Sequence, residues 1–180
     1  EWIEAKLKFK KQLERVVNEH EQKAKNKCCI HVRRGDALFM DKGYDFNGLG
    51  WGLPLEYYKI VIDLLPKNLL YILVSDDPEW VKKNFSFLKN KIIYSNNSEI
   101  IDLLMFTKCK YNILARSTFS WWGAWLNKTE DKVVYAPKNF IGFQREFCFP
   151  LGLDLGKEAS SWNYIGFDNP SKIDDNKLCS

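Results

Sequence analysis

The chain is poor in the side chains that usually hold metal ions. Its 180 residues contain no D-x-D triplet, no C-x-x-C pair and only two histidines, His20 and His31. Neither a carboxylate-anchored divalent cation nor a finger-type zinc site is therefore expected. The five cysteines, Cys28, Cys29, Cys109, Cys148 and Cys179, form an odd set without ligand spacing. Cys29 and Cys109 fall in apolar periodic segments and read as buried thiols, which leaves the redox compartment open. Long apolar runs are also missing: Leu69–Val74 is among the longest, far short of the ~20 residues a membrane-spanning helix needs. No signal-peptide pattern opens the chain. Nor is there an internal repeat, a basic arm or an RNP-like segment. The 27 Lys and Arg against 23 Asp and Glu leave a net charge of +4, carried by scattered lysines, and nucleic acid is not the expected partner. Residue 1 is Glu rather than Met, from which a lost or removed upstream segment is expected.

What is present is ample material for a core. Hydrophobic residues make up 46% of the chain and aromatic ones 15%, enough for one domain of this length. Residues 2 to 21 carry Ile3, Leu7, Leu13, Val16 and Val17 between charges, the pattern of an amphipathic helix. Short apolar runs follow, with strands expected at 28–32, 69–75, 91–94, 111–115 and 132–136. Most are continuous rather than alternating, as in parallel strands buried on both faces. Helical patterns lie between them at 55–65, 78–85, 99–109 and 119–126, three of them behind start signals: Asp76–Asp77 before Pro78, Ser98 before Glu99, and Ser117–Thr118 before Phe119. The order predicts a doubly wound, Rossmann-like parallel sheet with helices on both faces and ligands outside the carboxyl ends of its strands. The glycine- and aromatic-rich stretch from Phe39 to Pro54 is expected to be a functional loop over those ends. The expected organisation is a lead-in helix over 1–27, the sheet domain over 28–150 and an irregular tail over 151–180.

Two segments carry chemistry, each where an apolar strand runs out: HVRRGD at 31–36 and STFSWWGAW at 117–125. Arg33 and Arg34 are neighbours at a strand end, so alternation sends them to opposite faces, one toward a ligand and one into the loop. A guanidinium is a planar fork that matches phosphate oxygens and stays charged, and Asp36 can fix it. The competing reading is a surface pair between Arg34 and Asp36. His31, within its apolar strand, reads either as a core histidine or as a nucleotide contact. Ser75, Asp76 and Asp77 close the second strand, where an acid can accept from a ribose hydroxyl or a guanine donor edge, or cap the next helix. Asp102, in the first turn of an apolar helix, admits the same two readings. Ser117, Thr118 and Ser120 open a helix whose free amides can bind an anion without a metal. Trp121, Trp122 and Trp125 sit at helical spacing, which points to core packing more than to sugar stacking.

These motifs, HVRRGD, LPLEYYKIVIDLL, VSDDPEWVK, EIIDLLMFTKCKYNILARSTFSWWGAWLN and VVYAPKNF in this order, resemble the α-1,2-fucosyltransferases of glycosyltransferase family 11 over residues 28 to 143. The first is also similar to that of the α-1,6- and protein O-fucosyltransferases. The resemblance implies the C-terminal, GDP-fucose-binding domain of a GT-B fold. It implies metal-independent, inverting transfer of L-fucose from GDP-β-L-fucose to the 2-hydroxyl of a galactose-terminated glycan, with no cofactor. By that resemblance Arg33 and Arg34 hold the β-phosphate, His31, Asp76 and Asp102 hold the nucleoside, and Ser117, Thr118, Phe119 and Ser120 cradle the diphosphate; Ser75 is a further expected donor-binding residue. Arg33, Arg34 and Asp36 are the expected catalytic residues, Asp36 being a base only by location. The sequence departs from the family at Arg116, where Asn is usual, and in a missing histidine ahead of the Tyr57–Tyr58 segment. It also lacks the G-x-G-N-Q segment of the family's other half, which leaves a noncatalytic GDP-sugar-binding module as the alternative. Sequons at Asn84, Asn96 and Asn127 would permit glycosylation in a Golgi lumen behind an upstream anchor. A cytoplasmic enzyme peripherally associated with a membrane is the other expectation.

Overall fold

A computed structural model of the chain describes residues 26–39, 52–94, 98–137 and 161–165. The amphipathic segment expected over 2–21, most of the loop between Phe39 and Pro54, and most of the tail lie outside these residues. Among the described residues six strands form one sheet: β1 (Asn26–Val32), β2 (Leu69–Ser75), β3 (Lys91–Tyr94), β4 (Tyr111–Ile113), β5 (Val133–Pro137) and β6 (Asn163–Ile165). Every pairing is parallel, and the order across the sheet is β3-β2-β1-β4-β5-β6. This is the doubly wound Rossmann order. Helices α1 (Leu55–Leu64), α2 (Pro78–Asn84), α3 (Glu99–Thr107) and α4 (Thr118–Leu126) connect successive strands, and a short 3-10 turn (Asp36–Leu38) follows β1.

Alternation along β1 divides the core into two layers. Cys28, Ile30 and Val32 face one cluster with Tyr57, Tyr58 and Val61 of α1 and Val81 of α2. Cys29 faces the other with Met105 and Phe106 of α3 and Ala124 of α4. The helices change face because crossovers from a central strand are right-handed in both directions, so those running toward β3 and those running toward β5 cover opposite sides. β2 is buried at every position from Leu69 to Val74, which explains its unbroken apolar run. On the second face α4 presents Ser120, Gly123 and Ala124 inward. A Cβ on Gly123 would lie 2.7 Å from the Cβ of Phe106, so glycine lets the two helices touch.

Two expectations need correction. β4 ends at Ile113 rather than continuing to Ala115, because the Ser117 N–H turns back onto the Ala115 carbonyl at 2.8 Å. The tail read as irregular over 151–180 contributes β6, which pairs with β5 from Tyr135↔Asn163 to Pro137↔Ile165. Three residues are too short for a periodic signal; pairing with β5 makes the strand, and Trp162 anchors it against Trp121 at 5.8 Å between ring centroids. No helix among the described residues is long and apolar enough to cross a membrane.

Candidate functional site

In this strand order the chain leaves β1 and β4, which are neighbours, in opposite directions, and a crevice opens outside their carboxyl ends. The β1–β4 register closes on Ile30↔Ile113. Arg33 and Arg116 each lie three residues past that pair, so HVRRGD and ARSTFS form the two banks of one crevice.

The first bank is a charged turn. Arg33 donates from Nη2 to Asp36 Oδ1 at 2.6 Å, and its Nε lies 3.3 Å from Asp76 Oδ2. Asp76 also accepts the Arg34 backbone N–H at 2.8 Å. The two arginines diverge, as strand alternation requires. Arg33 keeps 37% of its side chain exposed, whereas Arg34 keeps 14%, with its guanidinium 3.9 Å above the Trp80 ring and Nε on Asp77 Oδ2 at 3.2 Å. Arg34 is thus clamped between an aromatic face and a carboxylate. Arg33 is the arginine that presents its fork. Asp36 pairs with Arg33 and not, as the competing reading had it, with Arg34. Gly35 sits where a Cβ would come within 2.8 Å of Asp76 Oδ2, so only glycine allows Asp76 to gather both arginines.

The second bank is mostly buried and presents hydroxyls and backbone amides, its one charge, Arg116, being buried. Ser117 caps α4, its Oγ accepting the Phe119 N–H at 3.2 Å. Ser120 is fully buried and its hydroxyl donates to the Ala115 and Ser117 carbonyls at 3.4 and 3.2 Å. It braces the turn from within, while exposed Thr118 and half-buried Phe119 form its surface. Arg116 is 4% exposed beneath this turn, and its charge draws down the phenol pKa values of Tyr57 and Tyr58 against the larger upward push of burial.

His31 lies between the banks, on the face of α3 and α4. It is 5% exposed, with its ring edge-on to Phe106 and tilted against Phe119 at 6.0 and 5.5 Å. Burial, and secondarily the charge of Arg33, lower its pKa to about 3, so the imidazole is neutral in any physiological solution. Its Nδ1 has no hydrogen-bond partner among the described residues.

The remaining expected site residues divide. Ser75 spends its hydroxyl on the fold: it donates to the Val32 carbonyl at 2.7 Å and accepts the Asp77 N–H at 3.0 Å, tying the ends of β1 and β2 together. Asp102 lies half-buried in the first turn of α3. Residues that the motifs did not single out complete the frame. The Tyr57 hydroxyl donates to the Leu114 carbonyl and the Tyr58 hydroxyl to the His31 carbonyl, each at 3.0 Å, so α1 pins both strand ends from below. Their signal was two adjacent tyrosines on the buried face of an amphipathic helix. Asp77, open in sequence to both a ligand contact and a cap, caps α2 by accepting the Trp80 N–H, and nothing in the sequence marks Trp80 itself. Two sequons are also explained by structure: Asn127 is buried and its amide donates to the Phe106 and Cys109 carbonyls, and Asn84 donates to the Trp80 carbonyl. Asn96 lies outside the described residues.

Fold and site together define a Rossmann-type α/β domain with an arginine turn after β1 and a helix N-terminus after the neighbouring β4, on either side of its switch point. Residues 4–165 match the model of Glycosyl transferase family 11, and the chain belongs to that family. It is 38% identical over 123 residues to the O-antigen biosynthesis glycosyltransferase WbnK of Escherichia coli, covering 64% of this chain and 39% of that protein. It is 34% identical over 128 residues to an alpha-1,2-colitosyltransferase of Escherichia coli, covering 67% and 42%. With a galactoside 2-alpha-L-fucosyltransferase of Caenorhabditis elegans it shares 27% identity over 125 residues, covering 61% and 32%. The chain thus spans less than half the length of these relatives.

Proposed function

We propose that the chain is the donor-binding half of a galactoside α-1,2-fucosyltransferase, holding GDP-β-L-fucose for inverting, metal-independent transfer to the 2-hydroxyl of a galactose-terminated glycan. The observation that carries this reading is that the Arg33 turn and the α4 N-terminus follow the carboxyl ends of two neighbouring strands, β1 and β4, at the switch point. As the acceptor hydroxyl attacks the anomeric carbon, the bond to the β-phosphate oxygen breaks and negative charge collects on the leaving diphosphate. A fixed guanidinium and helix amides stabilise that charge without reorganising. Arg33 does this directly. Arg34, locked on Asp77 and Trp80, positions the turn, and Asp76 sets the arginines' spacing rather than reading the base. Asp36 pairs with Arg33, an engagement that competes with service as a general base. His31, neutral and buried, offers one uncharged hydrogen-bonding nitrogen beside the diphosphate.

Calorimetric titration with GDP tests the reading. Arg33→Ala is expected to weaken binding by about 3 kcal/mol, roughly 100-fold, and unchanged affinity would overturn it. A second donor is favoured by the 34% identity to an alpha-1,2-colitosyltransferase. Parallel transfer assays with GDP-fucose and GDP-colitose decide between the two sugars. GDP binding without transfer from either would favour a noncatalytic GDP-sugar-binding module.

A further inference from the structure

Away from the crevice, α2 and the edge strand β3 enclose an open groove of about 410 Å³ lined by Pro78, Glu79, Lys82, Lys89, Lys91 and Ile93. β3 is the outermost strand on that side among the described residues, so the groove follows an edge of the described sheet. Three of its six lining side chains are lysines against one glutamate, and Lys83 adds a charge in the same last turn of α2. Lys91 directs its Nζ onto the Leu88 carbonyl at 2.6 Å. Lys82, Lys83 and Lys89 are exposed and enter no ion pair among the described residues. Glu79 is the one acid of the lining, and Asp76 and Asp77, just before Pro78, are engaged by Arg33 and Arg34. Two residues before Lys89, Phe87 stands 45% exposed, stacked on buried Phe85.

We propose that this edge is a membrane-docking surface, its lysines taking the phosphates of an anionic phospholipid bilayer and Phe87 entering the headgroup layer. Flexible ammonium groups suit mobile headgroup phosphates, which make no directional demand. A single-stranded nucleic acid would want aromatic platforms in the groove for base stacking, and the lining contains none. Pro78 directly follows Asp77, the partner of Arg34, so docking would set the crevice beside the bilayer, within reach of an acceptor displayed there. Only this last consequence rests on the proposed transferase; docking itself does not.

The test is co-sedimentation of the chain with vesicles of phosphatidylglycerol mixed into phosphatidylcholine, against phosphatidylcholine alone. Binding to the anionic vesicles only, falling with salt, is expected. Reversing Lys82 and Lys89 together to Glu should weaken it at least tenfold. The neutral pair Lys82→Gln and Lys89→Gln should fall between, and Phe87→Ala should weaken binding without changing its salt dependence. Equal binding to both vesicle types, or an unaffected double reversal, overturns the proposal, as does tighter lysine-dependent binding to single-stranded DNA. Thermal unfolding and GDP titration of the same variants should be unchanged. Loss of GDP binding in the unmutated chain would instead count against the donor site and leave the vesicle result standing.

Discussion

The two banks of the crevice are built on opposite physical plans. On the β1 side, Arg33, Arg34, Asp36, Asp76 and Asp77 form a partly exposed web of charge. On the β4 side, Ser117 and Ser120 hold the turn by neutral hydrogen bonds, and aromatic rings and a glycine contact fix α4 from beneath. A charged web can trade one anion for another, so an incoming diphosphate can take over the Arg33 fork from Asp36. A packed turn whose one charge, Arg116, is buried cannot rearrange cheaply and instead supplies amides already in place. One bank answers to charge and salt, the other to volume.

Changes aimed at one bank should leave the signature of that bank. The largest stability effect is expected on the packed side: Gly123→Ala drives a methyl into Phe106 and should cost on the order of 3 kcal/mol, read as a lowered denaturant midpoint with little salt dependence. On the charged side, Asp76→Ala removes the acceptor of the Arg34 amide and one partner of Arg33. It should cost about 2 kcal/mol and weaken GDP binding, and the loss should shrink in high salt. If both variants respond to salt alike, the contrast between the banks fails.

His31 tests the boundary between them. Its folded pKa of about 3 lies below the ordinary 6.5, so below pH 6.5 the unfolded chain binds a proton that the folded chain refuses. Its stabilising contribution is complete above pH 6.5 and declines as pH falls toward 3, by about 1.4 kcal/mol per pH unit at most. Denaturation at pH 7 and pH 5 should show this slope reduced in His31→Leu. The smallest effect is expected at Ser117→Ala, where loss of the α4 cap should cost about 1 kcal/mol and lower GDP affinity only slightly, by titration.

Legibility in the sequence followed the same division. Arg33, Arg34 and Ser117 announced themselves because charge and capping chemistry are local properties. The separation of the arginines into a presented fork and a clamped brace followed from strand alternation, but which was which depended on Trp80 and Asp77, more than forty residues downstream. Ser75 and Ser120 looked like ligand hydroxyls because nothing local distinguishes a hydroxyl facing a crevice from one bonded to a neighbouring strand's carbonyl. Tyr57 and Tyr58 carried no site signal of their own in the sequence, and their phenol hydroxyls found a role only once α1 lay under the ends of β1 and β4.

By itself the sequence determined the parallel α/β layering, the elements β1 to β5 and α1 to α4 within a few residues, and the family, because unbroken apolar runs, capping residues and motif order are written along the chain. The tertiary structure decided β6, the exposure of Arg33 over Arg34, the neutrality of His31 and the burial of Asn127. Each depends on which distant groups exclude water from a side chain or share its charge, and those neighbours exist only after the sheet has assembled.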